Sequence, residues 1–406
     1  MKESWRWFGP NDPVSLNDIR QTGATDIVSA LHSIPAGEVW SEEAIIAHKN
    51  TIEACAPGES SLAWTVVESI PVHESIKLNL PGCDKYIDAW ITSMENLAKQ
   101  GIKVICYNFM PVIDWTRTDL KYKLPSGAYT LRFDQQKFAA FDLFILQRDN
   151  AKAEYSEAEY LAAKQQFESM SEQDIKTLSD NIIAGLPGKM TDSYNLDTFK
   201  AMLAQYQNID EQTLRNNLFR FLAKVVPKAE QAGMSLAIHP DDPPRAMFGL
   251  PRIICTADDL DILFAEVPSQ ANGITLCVGT YSSRPDNNLV EMAEKFGSRI
   301  HFSHLRGVSR DQNEQRSFQE ASHLDGDVDM IGVVEKLLRE EQRRKLSNSA
   351  LASEIYIRPD HGHQMLDDIN RKSNPGYSAI GRLKGLAEIR GVIRTVSRFI
   401  NAPLND

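Results

Sequence analysis

Cysteine is scarce in this chain, and its spacing gives no pairs. The five thiols, Cys55, Cys83, Cys106, Cys255 and Cys277, are scattered over 406 residues, odd in number and without a CxxC motif. That argues against a disulfide framework and fits reduced thiols in a cytoplasmic protein. Long apolar runs are missing too. No stretch approaches the roughly 20 residues that cross a bilayer, and the start, Met1-Lys2-Glu3-Ser4-Trp5, lacks the apolar segment of a signal peptide. Nor is there an excess of basic charge. Lys and Arg number 44 against 55 Asp and Glu, a net charge of -11 that repels phosphate backbones and disfavours general nucleic-acid binding. Low-complexity segments are absent. What is left is ordinary globular composition, 42% hydrophobic and 24% charged, in a protein whose expected partner is a small molecule, with no nucleic acid and no membrane.

Short, mostly β-branched apolar runs recur along the chain, and most are followed by a helical pattern. They fall at residues 5–8 (WRWF), 25–31 (TDIVSAL), 62–67 (LAWTVV), 103–110 (KVICYNFM), 235–239 (SLAIH), 274–278 (ITLCV), 300–305 (IHFSHL) and 354–358 (EIYIR). Gly101, Gly233 and Gly273 precede three of them, where a left-handed helix cap would feed the next strand. Repeated strand–helix alternation implies a parallel sheet, and eight units imply a closed (β/α)8 TIM barrel. The first run is short and aromatic and could instead be an amino-terminal arm. A helix over 376–399 closes the chain.

The connection from Met110 to Ser235 is far longer than a βα unit needs. Its patterns at 135–147, 157–170 and 211–231 read as helices, with Pro187-Gly188 breaking the series. Long structureless loops are rare inside compact domains. The expectation is therefore a single catalytic barrel over 1–406 carrying a helical insertion at about 121–230, a lid or an oligomer contact.

Barrel enzymes place their chemistry at the carboxyl ends of the strands. Four consecutive candidate strands carry metal-ligand residues there: His239 in SLAIHPDDPP, Cys277 in ITLCVGTYSS, His304 in IHFSHLRG and Asp360 in EIYIRPDHGH. Side chains alternate along a strand, so each strand can aim one of them inward. Two imidazoles, a thiolate and a carboxylate suit zinc, iron(II) or manganese(II) by ligand type. Taken singly, each has a plainer reading: a hydrogen-bonded histidine, a small buried thiol, a helix-capping aspartate. His48, His73, His301 and His323 are read as surface or structural. His32, Asn108, Arg117 and Arg306 lie near strand ends and are candidates to bind substrate. Asp241 and Asp242 support either the metal ligands or a solvated helix start.

Three long segments resemble the mannonate dehydratase family: WRWFGPNDPVSLNDIRQTGATDIVSALHSIPAGEVW, YNFMPVIDWTRTDL and RPDHGHQMLDDINRKSNPGYSAIGRLKGLAEIRG. The resemblance spans both ends of the chain and implies a xylose-isomerase-like barrel. It implies conversion of D-mannonate to 2-keto-3-deoxy-D-gluconate and water in hexuronate (glucuronate) breakdown, with Fe2+ or Mn2+ rather than zinc. Carried over by motif, the ligands are His239, Cys277, His304 and Asp360. The acid/base pair is His361, beside the last ligand, and Tyr377 in NPGY. A homodimer in the cytoplasm is expected.

The chemistry needs such groups. The C2 proton of a 2,3-dihydroxy acid is weakly acidic and hydroxide is a poor leaving group. A base must take the proton, an acid must protonate the departing C3 hydroxyl, and a metal can hold the developing charge. The alternatives are a sugar or sugar-acid isomerase or epimerase, against which the thiolate speaks, a zinc nuclease, against which the net charge speaks, and a metal-dependent sugar-acid sensor that releases no product. The plainer readings are an orienter of Asp360 for His361 and core packing for Tyr377.

Overall fold

The structure is a computed structural model that describes residues 1–183, 195–314, 316–347 and 353–401. Eight parallel strands form the central sheet: β1 (Lys2–Arg6), β2 (Asp26–Ser29), β3 (Ala63–Glu68), β4 (Val104–Tyr107), β5 (Ser235–Ile238), β6 (Asn272–Cys277), β7 (Ile300–His304) and β8 (Tyr356–Arg358). Each pairs with its neighbours in sequence, and β8 returns to β1 through Lys2↔Tyr356 and Glu3↔Ile357, so the barrel is closed. All eight expected strands are present. The first is displaced toward the amino terminus: it ends at Arg6, and closure is made by the pairing of Lys2 and Glu3 with β8, ahead of most of the aromatic run that marked the segment.

Period-2 alternation sorts the strand residues. Ile27, Val67, Ile105, Leu236, Ile274, Leu276 and Ile357 join the main hydrophobic cluster with the surrounding helices. Val28, Val66, Val104, Cys106, Ala237 and Phe302 make a separate cluster that fills the barrel. Two residues further along four of those strands the same inward face reaches Glu68, Asn108, His239 and His304. The polar site therefore sits directly on an apolar plug.

Gly101 and Gly233 precede β4 and β5 with φ of +81° and +64°, the left-handed caps the sequence suggested. Gly273 has another role. It lies within β6, and a Cβ there would stand 2.2 Å from the carbonyl oxygen of Arg299 and 2.3 Å from the His301 ring. Close approach of the next strand, and not a helix cap, demands glycine at that position.

The long connection is not helical throughout. Strands Asp119–Lys123 and Tyr129–Phe133 form an antiparallel pair. Two strands that follow β7, Val308–Arg310 and Phe318–Glu320, complete a four-stranded sheet through Phe318↔Phe133 and Gln319↔Arg132. These strands escaped detection because they are short and rich in charged or polar residues, and because the pairing that joins the two halves, Phe318 with Phe133, links distant parts of the chain. Helices follow at Gln135–Ala140, Glu157–Glu168, Glu172–Ile183, Leu196–Ala204 and Glu211–Ala232. The Pro187-Gly188 break falls outside the described residues.

A second hydrophobic cluster holds this unit together, with Phe133, Phe138, Phe141, Phe199, Phe248 and Phe318 at its centre. Phe133 and Phe318 stack with centroids 5.7 Å apart, and both are fully buried. Truncation of Phe133 to alanine should cost about 3–5 kcal/mol, the usual range for a buried aromatic. Urea unfolding measures it, and a loss under about 1 kcal/mol would show that the second cluster contributes little.

Candidate active site

The metal-type donors meet on the plug. The Nδ1 of His239 lies 2.7 Å from the carbonyl oxygen of Pro240, which can only accept, so Nδ1 carries the proton and Nε2 is left as the ligand atom. Cys277, at the end of β6, faces both His239 and His304, and its Sγ is 3.0 Å from the Thr280 hydroxyl. Burial opposes ionisation of this thiol, but Arg306 and His239 outweigh it and hold the thiol well below its ordinary range. Donor atoms of His239, Cys277 and His304 all lie within 4.8 Å of one another. His304 keeps a buried Nε2 without a hydrogen-bond partner. Two imidazoles and an ionised thiol, with a buried ring nitrogen unused, fit a divalent transition metal.

Asp360 stands beside these three, outside the compact trio. Its Oδ2 is 3.9 Å from His304 Nδ1 but 2.7 Å from Arg306 Nε, while its Oδ1 meets Arg358. The residue has φ of +62°, a left-handed conformation that aspartate tolerates better than most side chains. No helix starts at it, since the next ones begin at Leu366 and Ala379, so it caps none. A second trio, Glu68, Cys106 and His304, is equally compact. Glu68 is already neutralised by Arg6 at 2.7 Å and Arg358 at 2.9 Å, which makes this trio the poorer cation site.

His361 and Tyr377 are brought together by the loop after β8. The Gly362 amide donates to the Gly376 carbonyl at 2.8 Å, and the two rings meet edge to face with centroids 5.1 Å apart. Burial, with Asp360 adding to it, pushes the Tyr377 phenol up to about 12. Both residues line a recess of about 40 Å3 together with His239 and Asp360. The recess adjoins a cavity of about 500 Å3, and Arg6, Ser69, Asn108, Met110 and Asp114 line both.

The four candidates for substrate contact separate. Asn108 lines both spaces and His32 lines the larger one. His32 has a buried, unpartnered Nε2; burial above all, then Arg6, brings its pKa down to about 3, so the ring is neutral. Arg117 and Arg306 line neither cavity. Arg117 is 2.7 Å from Asp242 and 3.0 Å from Glu320. Arg306 is 2.7 Å from Asp242, Glu320 and Asp360 alike. Asp242 thus belongs to a buried ionic network and starts no helix, while Asp241 accepts the amides of Ile253 and Ile254 at 2.8 Å and pins the loop after β5. His301 and His323 are buried and bonded to the carbonyls of Gln270 and Pro359, and His48 and His73 stack on Trp7 and Tyr86.

Arg6, Glu68, Arg358 and Glu320 were not picked out from the sequence. Arg6, Glu68 and Arg358 obey the same inward alternation as the ligands and were legible in principle, had strands 1, 3 and 8 been read for charge as well as for ligands. Glu320 had no local signal, because it arrives on the antiparallel sheet.

Gly279 ties the network to the fold. A Cβ there would lie 2.6 Å from Arg306 Cγ and Nη1, and Arg306 is 1% exposed. Gly279→Ala should push Arg306 off Asp360 and lower activity at least tenfold, with secondary structure intact by circular dichroism. Unchanged kcat and KM in that variant would show that Arg306 has no bearing on the site.

The sequence profile of the D-mannonate dehydratase (UxuA) family matches residues 1–402. The mannonate dehydratase of Marinomonas sp. (strain MWYL1) is 54% identical over 392 residues, 97% of this chain and 98% of that protein. That of Chromohalobacter salexigens is 52% identical over 399 residues, 98% of this chain and all of the relative. The crystal structure of mannonate dehydratase from Streptococcus suis serotype 2 superposes with a TM-score of 0.76 at 33% identity, covering all of this chain and 96% of that one. With a closed barrel, a His–His–Cys donor set at its mouth and a match along nearly its whole length, the chain belongs to the D-mannonate dehydratase family.

Proposed function

We propose that this protein dehydrates D-mannonate to 2-keto-3-deoxy-D-gluconate within hexuronate catabolism, acting as one catalytic barrel with its insertion. The observation that carries the reading is that His239, whose donor atom meets those of Cys277 and His304, also lines one recess with His361 and Tyr377. His239, Cys277 and His304 would hold the metal, with Asp360 alongside as the fourth ligand. Fe2+ or Mn2+ is the cofactor the family implies, and the mixed nitrogen, sulfur and oxygen donors accommodate either. Bound there, a divalent cation supplies Lewis acidity to the substrate's carboxylate end and holds charge developing next to it.

The remaining work falls to side chains. His361, whose Nε2 turns toward Asp360 at 3.9 Å, takes the C2 proton. Tyr377, kept as a neutral phenol by burial, gives its proton to the departing C3 hydroxyl, which leaves as water. The enol then gives up its C2 hydroxyl proton and takes one at C3, so the C2–H and C3–O bonds broken are matched by a C2 carbonyl, a new C3–H bond and water. Arg6 and Asn108, on the wall common to both cavities, would receive the substrate's oxygens, and the larger cavity, with His32, would take its far hydroxyls. No helix among the described residues is long and apolar enough to cross a membrane. A cytoplasmic homodimer is our proposal for the working form.

Two outcomes test this. Cys277→Ser should lose bound metal by elemental analysis and lose activity with it; full turnover after exhaustive chelation defeats the metal assignment. His361→Ala and Tyr377→Phe should keep metal yet lose kcat by roughly 10²-fold or more. Deuterium exchange at C2 separates their roles: Tyr377→Phe should still exchange the C2 hydrogen, and His361→Ala should not. Near-native turnover of Tyr377→Phe would reduce the tyrosine to packing.

A further inference from the structure

Glu320 lies outside the metal donors and outside the acid/base pair, and no motif marks it. It ends the strand Phe318–Glu320, and its carboxylate is 4% exposed. Arg306 holds both of its oxygens at 2.7 Å, and Arg117 holds Oε1 at 3.0 Å. Its carbonyl is fixed as well, since it accepts the Thr130 hydroxyl and the His363 Nε2–H, each at 3.0 Å. The Glu320 side chain therefore has little freedom.

The loop carrying His361 docks on this residue twice. His363 bonds to its carbonyl, and His361 Nδ1 stands 3.1 Å from Oε1. The latter separation is of hydrogen-bond length, although Nδ1 forms no hydrogen bond in this geometry. No other acceptor reaches Nδ1 among the described residues. The rest of the ring is bounded by Tyr377 at 5.1 Å and Trp115 at 6.2 Å between centroids, and Nε2 points to the Asp360 side.

We propose that Glu320 is the positioning residue for His361: its carboxylate, presented by the antiparallel sheet, accepts from Nδ1 and so leaves Nε2 bare toward the substrate. An ionised carboxylate has no proton to donate, so the facing nitrogen must carry one. A neutral imidazole with hydrogen on Nδ1 offers a lone pair only at Nε2. A ring with the other tautomer presents an N–H to the C2 proton and cannot take it. The inference rests on the role proposed for His361. It also gives the insertion a task, since the strand Tyr129–Phe133 pairs with Phe318–Glu320 and Thr130 holds the Glu320 carbonyl.

The tautomer is directly observable in the zinc-loaded holoenzyme, which is diamagnetic, by long-range 1H–15N histidine spectra, with His361 assigned by its loss in His361→Ala. The expected pattern is Nδ1–H. An Nε2–H pattern for His361 in the unaltered protein overturns the proposal whatever any variant does. Glu320→Ala should lose the Nδ1–H pattern and should lower kcat by roughly 10²-fold or more with KM within a few-fold and metal content unchanged. Glu320→Gln should largely rescue both, because the two arginines favour its amide oxygen at the Oε1 position. Native kcat with an unaltered tautomer in Glu320→Ala refutes the assignment. A separate result, full turnover by His361→Ala, removes the role assigned to His361 and is distinguishable because the tautomer measurement does not depend on it.

Discussion

Four guanidiniums and four carboxylates, all at most 7% exposed, are linked without interruption across the barrel mouth. Arg6 joins Glu68, Glu68 joins Arg358, Arg358 joins Asp360, Asp360 joins Arg306, and Arg306 with Arg117 closes on Asp242 and Glu320. Taking each ion out of water costs on the order of several kcal/mol, returned only when geometry and hydrogen bonding are nearly complete. Equal numbers of the two signs and contacts of 2.7–3.0 Å between most of the partners meet that condition. Such a network adds little net stability over an apolar core. Its consequence is definition: each carboxylate is held ionised in one orientation, and with it every residue that leans on one.

The site inherits that definition. Asp360 keeps a left-handed backbone and remains ionised because Arg358, with His361, His304 and Arg306 adding to it, outweighs the penalty of burial. Thr280 donates to Asp242 at 2.9 Å while touching the Cys277 sulfur, which couples the thiol to the same charges. The apolar plug of Val28, Val66, Val104, Cys106, Ala237 and Phe302 shields the network from below, so its interactions are not weakened by water on that side. Chemistry at the recess thus takes place in a field set in advance by fixed charges.

The barrel was legible because its signals are local. Apolar runs of strand length separated by helical patterns need no knowledge of partners, and alternation within each run put His239, Cys277 and His304 on one inward face. The loop motif DHGH with NPGY carried His361 and Tyr377, which the Gly362–Gly376 hydrogen bond joins. The sequence by itself thus determined the strand count, the inward ligands and the family resemblance, all of which depend on residue type and short spacing.

Tertiary structure alone decided the rest. The sheet built from residues on either side of β5, β6 and β7 could not be seen in either half, since each strand is too short to declare itself without its partner. Glu320 and Arg117 reach the site only through that sheet and the loop before it. Arg117 and Arg306, read as substrate contacts from their positions, are turned into the ionic network, because a guanidinium at a strand end pairs with whichever buried carboxylate the fold brings within reach. Gly273 reads as a cap in sequence but serves close strand packing. Which charges meet, and at what distance, depends on long-range contacts, and one-dimensional spacing holds no record of them.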